Sequence, residues 1–569
     1  MKQITFSLLT VLMCFMTTKV NAYDIVVPNE DGLKIYYNFI NNKTELSVTF
    51  YSLVHFFHNG EVYRNAEAYC GNIKIPSEVN YDGKKYKVTE IGNRAFYHCN
   101  NISIEMPDYL RSVSSSALES ASVDVVKASD FRIWCETDFG STNPFIKANK
   151  VIINDKDFVL PSELVVNCSK IGNYAFKESN QIKKVTMTES VKTIGVSAFE
   201  NCSQLSNVTI GNSITSIVDN SFENCSQLSN VTIGNSVTSI GDNSFDGCSR
   251  LASLKIPNSV ISIGKRAFAS CDRLYKIEIG NNLQHIGKEA FQSTAITNLV
   301  LPNSLLSIGE SAFRGCEDLV SINFPSNLNY IGDHAFGNCS NLRSDIIIPD
   351  NVKEINNGTF SGCDKIPSIT FGKSIERIGK GAFMACYNLK IKGKLPNSLI
   401  TIEDEAFDNC RSFVSIEIPN SVKAIGSRAF YGCDMKGTLI LGYSIESIGK
   451  EAFYNCSPKS IISKMEDPCD IPDNTFSQYR YGTYYDGVTT WGTILYVPSG
   501  TKDLYQHTKG WKKFEKIVES ELAGISSNMK EGITINKVYS LAGNEQQNLK
   551  HGLNIIRQSD GTTKKVVIK

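Results

Sequence analysis

The sequence predicts a solenoid of stacked repeats, and three observations carry that expectation. A leading isoleucine recurs at Ile171, Ile194, Ile217, Ile240, Ile263, Ile286, Ile308, Ile331, Ile355, Ile378, Ile402, Ile425 and Ile448, at intervals of 22 to 24 residues. The fourteen letters ENCSQLSNVTIGNS stand at 200–213 and again at 223–236. A phenylalanine follows each isoleucine by five residues, and in most units a cysteine follows by eight, as in Ile240, Phe245 and Cys248. A fixed period of this size marks units that bury their apolar faces only against their neighbours.

The spacing within one unit explains its shape. Over Leu205 to Ile210 the pattern alternates, so Val208 and Ile210 point inward while Asn207 and Thr209 point out. Gly211, or Pro257 and Pro302 in sister copies, ends this strand. Ser213 and Ile214 begin a return towards Ile217. Phenylalanine and cysteine three residues apart suit one short helical turn facing the core. The Ile-Gly pairs read as turn glycines. The whole unit is of the leucine-rich type, and its stacking predicts ladders of Phe, Leu and Ile.

In chain order, residues 1–22 read as a secretory signal: Lys2, a mostly apolar run from Ile4 to Met16, and Val20-Asn21-Ala22 before a cleavage point. Cys14 offers a lipoprotein signal instead, although Met13 stands where a small residue is usual. Residues 23–87 lack the repeat, alternate in places, and carry Asp82-Gly83 as a hairpin tip; they predict a β-rich N-terminal cap over the first open edge. The solenoid is expected over 88–456, with early units at Ile91 and Val113. Residues 134–167 break the phase as an irregular insertion, with a loop at Asn143-Pro144-Phe145 and a strand at Val151 to Asn154. Asp467-Pro468 and Ile471-Pro472 interrupt the rhythm, so 457–519 predict a C-terminal cap. Within it, Thr493 to Val497 form a strand, and Tyr505, Trp511 and Phe514 lie on a helical stretch ending near Ile517 and Val518. Residues 520–532 read as a linker. Residues 533–569 read as a small β-sandwich-like module with turns at Ala542 to Asn544 and at Asp560-Gly561. A right-handed stack of thirteen or more rungs at about 4.8 Å each would be roughly 60–70 Å long.

The phrase I-G-x-x-A-F-x-x-C-x-x-L-x-x-I-x-I-P-x-S-V resembles the BspA-type leucine-rich repeat of bacterial surface proteins, over most of Ile91 to Cys456. The cap from Thr493 to Glu519 is similar to the segment closing such arrays in Bacteroidetes proteins. The tail, Val538 to Gly543, Gly552 to Arg557 and Lys564 to Lys569, resembles C-terminal modules of proteins secreted by these bacteria, some of which are sorting signals of the type IX secretion system. The resemblance implies a cell-surface or secreted adhesin that binds host matrix proteins or other microbes.

Searches for chemistry narrow the function. The 58 basic and 58 acidic residues balance, which argues against nucleic acid as a partner. After the N-terminus no apolar run reaches about 20 residues, so no membrane span is expected. Twelve of the 17 cysteines hold the repeat position: Cys99, Cys202, Cys225, Cys248, Cys271, Cys316, Cys339, Cys363, Cys386, Cys410, Cys433 and Cys456. Parallel side chains on adjacent rungs rarely meet the dihedral of a disulfide, so this ladder is expected to hold free buried thiols. Ser179 and Thr294 replace the cysteine in two units, as a packing role allows. Cys70, Cys135, Cys168 and Cys469 lie outside the ladder, and their spacing fixes no pairing. His55, His58, His98, His285, His334, His507 and His551 are scattered without ligand spacing, so no metal or other cofactor is expected. The sequence has no nucleotide-binding or hydrolase motif and no recurrent carboxylate pair, so no enzyme is expected.

The candidate binding surface is the outward face of the repeated sheet. One row holds Thr209, Thr232, Lys255, Glu278, Val300, Asn323, Thr370 and Glu417. The neighbouring row holds Asn207, Asn230, Ser253, Lys276, Asn298, Ser321, Ser368 and Ser415. These mostly small polar residues suit a broad docking surface for extracellular host or microbial proteins. Glycan capture in nutrient uptake is the alternative, and the lack of aromatics on the row argues against tight sugar stacking. A purely solvated face is the remaining reading. The chain is expected as a monomer, secreted or on the cell exterior.

Overall fold

A computed structural model describes residues 23–50, 69–478 and 492–521, and the backbone of strands 56–58, 61–63, 535–539, 545–546, 552–558 and 563–568. The expected signal at 1–22, most of the expected linker and the turns at Ala542 to Asn544 and Asp560-Gly561 lie outside the described residues. The chain divides into two compact units, Met1–Gly234 and Asn235–Lys569.

In the first unit, the antiparallel strands Ile25–Pro28, Lys34–Ile40 and Glu45–Thr49 form a sheet that continues into the repeats. Glu45–Thr49 pairs in parallel with Lys84–Ile91, placing Val48 beside Ile91. Asp82 and Gly83, both left-handed at φ 49° and 71°, close the hairpin between Glu78–Tyr81 and Lys84–Ile91. A second sheet runs through the strands Asn72–Lys74, Ile102–Glu105, Val123–Ala128 and Lys150–Ile153, all in parallel. After it come Glu163–Val166, Lys184–Met187, Asn207–Thr209 and Asn230–Thr232, also in parallel register.

The segment 134–167 departs from the expected insertion. Asp138–Phe139 pairs with Ser112–Val113, which pairs with Glu90 and Ile91, so Phe139 stands where other units have isoleucine. Phe145 then occupies the place of the repeat phenylalanine, on the helix Pro144–Lys147 rather than in a loop, with Asn143 capping it. Trp134, on the helix Phe131–Glu136, lies between Phe145 (ring centroids 5.0 Å apart) and Phe176 (6.0 Å). A divergent rung therefore fills the phase break, and the indole bridges the aromatic stack.

In the second unit, short paired strands repeat the design, for example Ser253–Lys255 with Lys276–Glu278 and Asn298–Val300 with Ser321–Asn323. The isoleucine ladder pairs Ile263 with Ile286, Ile286 with Ile308, and Ile308 with Ile331. Phe245, Phe268, Phe291 and Phe313 are fully buried and stack at centroid spacings of 5.2 to 5.3 Å. These ladders, together with those of the first unit, make the fold a leucine-rich repeat β-solenoid with a period of about 23 residues.

Three local expectations need correction. The Phe-to-Cys segment is not a helical turn. Two residues per unit, such as Ser197 (φ 55°) and Asn201 (φ 60°), are left-handed. Alternate N–H groups therefore reach the next unit: Ser197, Phe199 and Asn201 donate to the carbonyls of Asp219, Ser221 and Glu223 at 2.8–3.1 Å. A helix would spend those donors within one unit. The Ile-Gly glycines are not turn glycines either. A Cβ on Gly287 would lie 2.6 Å from the Gly264 carbonyl carbon, so the residue is small because adjacent backbones touch. Finally, the aromatic stack passes beyond Cys456. Phe476 lies 5.2 Å from Phe453, with Ile471-Pro472 in place of Ile-Gly.

The strands Ile494–Val497 and Lys516–Glu519 extend the second unit's sheet, so Ile517 and Val518 belong to a strand and not to a helical end. Between them, the helix Lys502–His507 and a 3-10 turn at Trp511–Lys513 bring Tyr505, Trp511 and Phe514 together. Trp511 and Phe514 cover Phe476 at 5.8 and 5.4 Å, which removes the last open ring face from water. The four C-terminal strands make one antiparallel sheet in the order Glu545–Gln546, Ile535–Tyr539, Gly552–Gln558, Thr563–Ile568; no second layer of a sandwich lies among the described residues.

Candidate binding face

In several of the short strands two side chains are exposed and the one between them is buried. In Asn298–Val300, Leu299 is buried and Val300 is 75% exposed. Because the strands pair in register, equal positions become rows. In the first unit Thr186, Thr209 and Thr232 are partners, as are Asn207 and Asn230. In the second unit Lys255 partners Glu278, Ser253 partners Lys276, and Val300 partners Asn323. Asn298 partners Ser321, whose hydroxyl donates to Asn298 Oδ1 at 2.7 Å.

Not every candidate is available. Ser368 is only 4% exposed, and its hydroxyl donates to Asp345 Oδ1, so it belongs to the fold. Thr370 is half-buried. Glu417 is half-buried and accepts from Lys394 Nζ at 2.8 Å and from Lys464 Nζ at 3.1 Å. Burial works to raise its pKa, but the two lysines prevail and hold it below the ordinary carboxylate value. Ser415 is exposed, and its hydroxyl accepts from the Thr438 N–H at 2.9 Å.

Sequence reasoning missed two apolar residues of the outward row. Ile347 partners Thr370 on the outward row and is 65% exposed. The run Ile346-Ile347-Ile348 hides the alternation, because an outward isoleucine has the same letter as the inward ones. Val165, partner of Thr186, was missed for the same reason, in Leu164-Val165-Val166. The face is thus polar with apolar residues interspersed, and its charges meet one another: Lys276 and Glu278 pair at 3.2 Å.

The thiol ladder has a second role that spacing alone did not show. Cys202 Sγ donates to the Phe176 carbonyl at 3.1 Å, Cys363 to Phe336 at 3.0 Å, and Cys456 to Phe430 at 3.0 Å. Each bond steps back one unit. The Phe336 and Phe430 carbonyls also accept from Cys339 and Cys433 N–H within their own units, both at 3.2 Å. Both lone pairs of these buried oxygens are therefore satisfied. Burial pushes the Cys202 thiol up to about 12 and the Cys316 thiol up to about 11, so these sulfurs are poor nucleophiles. Every described cysteine is free. Among the described residues no cluster of three or more His, Cys, Asp or Glu could hold a metal ion, and no helix is long and apolar enough to cross a membrane.

Among solved structures, the chain is similar to a leucine-rich repeat protein from Bacteroides ovatus ATCC 8483, at 26% identity, covering 74% of this chain and 94% of that one with a TM-score of 0.46. It is also similar to a leucine rich cell surface protein from Faecalibacterium prausnitzii A2-165, at 20% identity over 86% and 98% of the two chains (TM-score 0.31). A third likeness is to the pneumococcal vaccine antigen PcpA, at 19% identity over 71% and 94% (TM-score 0.31). No curated protein matches the chain. The family described as BspA type leucine rich repeat region matches in six copies over residues 67–135, 169–295, 284–392 and 391–484, well over half of the chain, and the protein belongs to that family.

Proposed function

We propose that the protein is a non-catalytic binding scaffold of adhesin type, secreted or held on the cell exterior. It docks extracellular host or microbial proteins, matrix proteins among them, through the outward rows of its repeated sheets. The observation that carries this reading is the pair of in-register rows, with Thr209 and Thr232 in one unit and Lys255, Glu278, Val300 and Asn323 in the other. Small polar side chains between exposed apolar ones make many weak contacts without a deep pocket, as protein docking requires. Glycan capture is the second reading. Tyr496, half-buried on the continuation of the outward row beyond Ile462, favours it, because an aromatic ring can stack on a sugar.

The test is an array of immobilised matrix proteins and glycans probed with the purified protein. Two variants accompany it, Thr209→Arg with Thr232→Arg, and Val300→Arg with Asn323→Arg. Binding to protein spots that falls at least tenfold in one variant, with unchanged melting, supports the proposal. Binding to glycans alone, or binding indifferent to both variants, overturns it.

A further inference from the structure

Outside the thiol ladder, the first unit brings two cysteines together. Cys135 lies in the last turn of the helix Phe131–Glu136, and Cys168 lies two residues past the strand Glu163–Val166. Both are buried, and Cys135 Sγ donates to the carbonyl of Lys170, two residues past Cys168, at 3.6 Å. The backbone around them is held from several sides. Gly172 N–H donates to the Cys135 carbonyl at 2.7 Å. Ser169 donates from N–H and Oγ to Glu136 Oε1 at 2.6 and 2.8 Å. Trp134 Nε1 donates to the Ala175 carbonyl at 2.7 Å.

This pair differs from the ladder in the one respect that governs oxidation. Ladder cysteines are related by the translation of the repeat, so neighbouring Cα–Cβ bonds run parallel, and sulfurs such as that of Cys410 point to a phenylalanine carbonyl one unit back, here Phe383 at 3.2 Å. A disulfide needs a dihedral near a right angle, which that arrangement opposes. Cys135 and Cys168 come from a helix and a connecting segment, and no repeat translation relates them. They also bracket the divergent rung, where the regular Ile-Gly and Phe-Cys ladders are interrupted.

We propose that Cys135 and Cys168 form a disulfide as the protein folds in an oxidising compartment, clamping the divergent rung while the ladder thiols stay reduced. The oxidant is a disulfide carrier, either a thiol–disulfide oxidoreductase or glutathione disulfide. Cys168 as thiolate attacks one sulfur of the carrier, forming a mixed disulfide and expelling the first carrier thiolate. Cys135 then loses its proton and attacks Cys168 Sγ, which expels the second. Two protein thiols are oxidised by two electrons, the carrier takes up those electrons, and the two protons pass to its thiolates. Cys168 is the entry point because the S–H of Cys135 is fully buried and held on the Lys170 carbonyl. The extracellular location proposed above supplies only the compartment, so the test uses purified protein and fails independently of it.

The full chain is refolded in a glutathione redox buffer, alkylated in denaturant, digested and mapped by mass spectrometry. The expected result is one cross-linked peptide pair, joining Cys135 to Cys168, with every ladder cysteine alkylated. Oxidised wild type should also melt above its reduced form, and Cys168→Ala should melt alike in both conditions. Full alkylation of Cys135 and Cys168 after oxidation overturns the proposal, as does a link to Cys70, Cys469 or a ladder cysteine. The mapping of wild type stands even where Cys168→Ala folds poorly.

Discussion

Replacing Phe268 by alanine measures what one rung of the aromatic stack contributes. The ring is fully buried between Phe245 and Phe291, at 5.2 and 5.3 Å with interplanar angles of 4° and 8°. Its backbone N–H donates to the Ala290 carbonyl at 2.8 Å, and alanine keeps that bond. The variant therefore removes side-chain packing alone. Core Phe→Ala changes cost about 3–5 kcal/mol, and aromatic pairs contribute about 0.5–1.5 kcal/mol each. With two stacked pairs lost and rigid neighbours on both sides, the cost belongs in the upper part of that range, about 4–5 kcal/mol. Because each unit contacts only its neighbours, the loss should be local. Native-state hydrogen exchange with mass spectrometry is the assay. Amides between about Phe245 and Phe291 should exchange roughly a thousandfold faster, since about 1.4 kcal/mol corresponds to each factor of ten. A cost below about 1 kcal/mol would refute the packing argument. Faster exchange spread evenly over the second unit would refute the nearest-neighbour argument.

Other outcomes follow from the same geometry. Gly287→Ala should cost about 1–3 kcal/mol in urea unfolding, because its Cβ must displace the Gly264 backbone 2.6 Å away. Glu417 has a folded pKa below its ordinary value of 4.5, so its contribution is present above that value and lost as pH falls through the lower folded pKa. Glu417→Gln should therefore be less stable than wild type at pH 7, and in acid unfolding the difference should shrink as pH falls below 4.5 and be gone once pH passes the lower folded pKa. Deleting residues from Gly532 onward should leave the melting of the repeats nearly unchanged and reduce export in the native host. A marked fall in melting temperature with export intact would make the tail part of the fold.

The repeat was legible because its apolar letters recur at a fixed period and each has one structural role. Ile, Phe, Cys and Leu at set offsets suffice to place strand, core and outward rows. Legibility failed where a residue took a role under a different letter. Phe139 stands in the isoleucine ladder and Trp134 fills a gap in the phenylalanine stack, so residues 134–167 looked like an interruption. The outward Ile347 was hidden among isoleucines that point inward.

Composition and period alone settle that the chain stacks, since no single unit can bury its own apolar face. They also settle most of the core, because in most units only one phase of the pattern is apolar. What period alone leaves open depends on distances between units. The approach of Gly287 to Gly264, the thiol bonds to phenylalanine carbonyls, and the burial of Ser368 beside Asp345 are contacts between neighbouring units, as Cys410 with Phe383 and Ser368 with Asp345. A repeat pattern states that such residues are equivalent, but only the stacked backbone sets how close they come and which donor meets which acceptor.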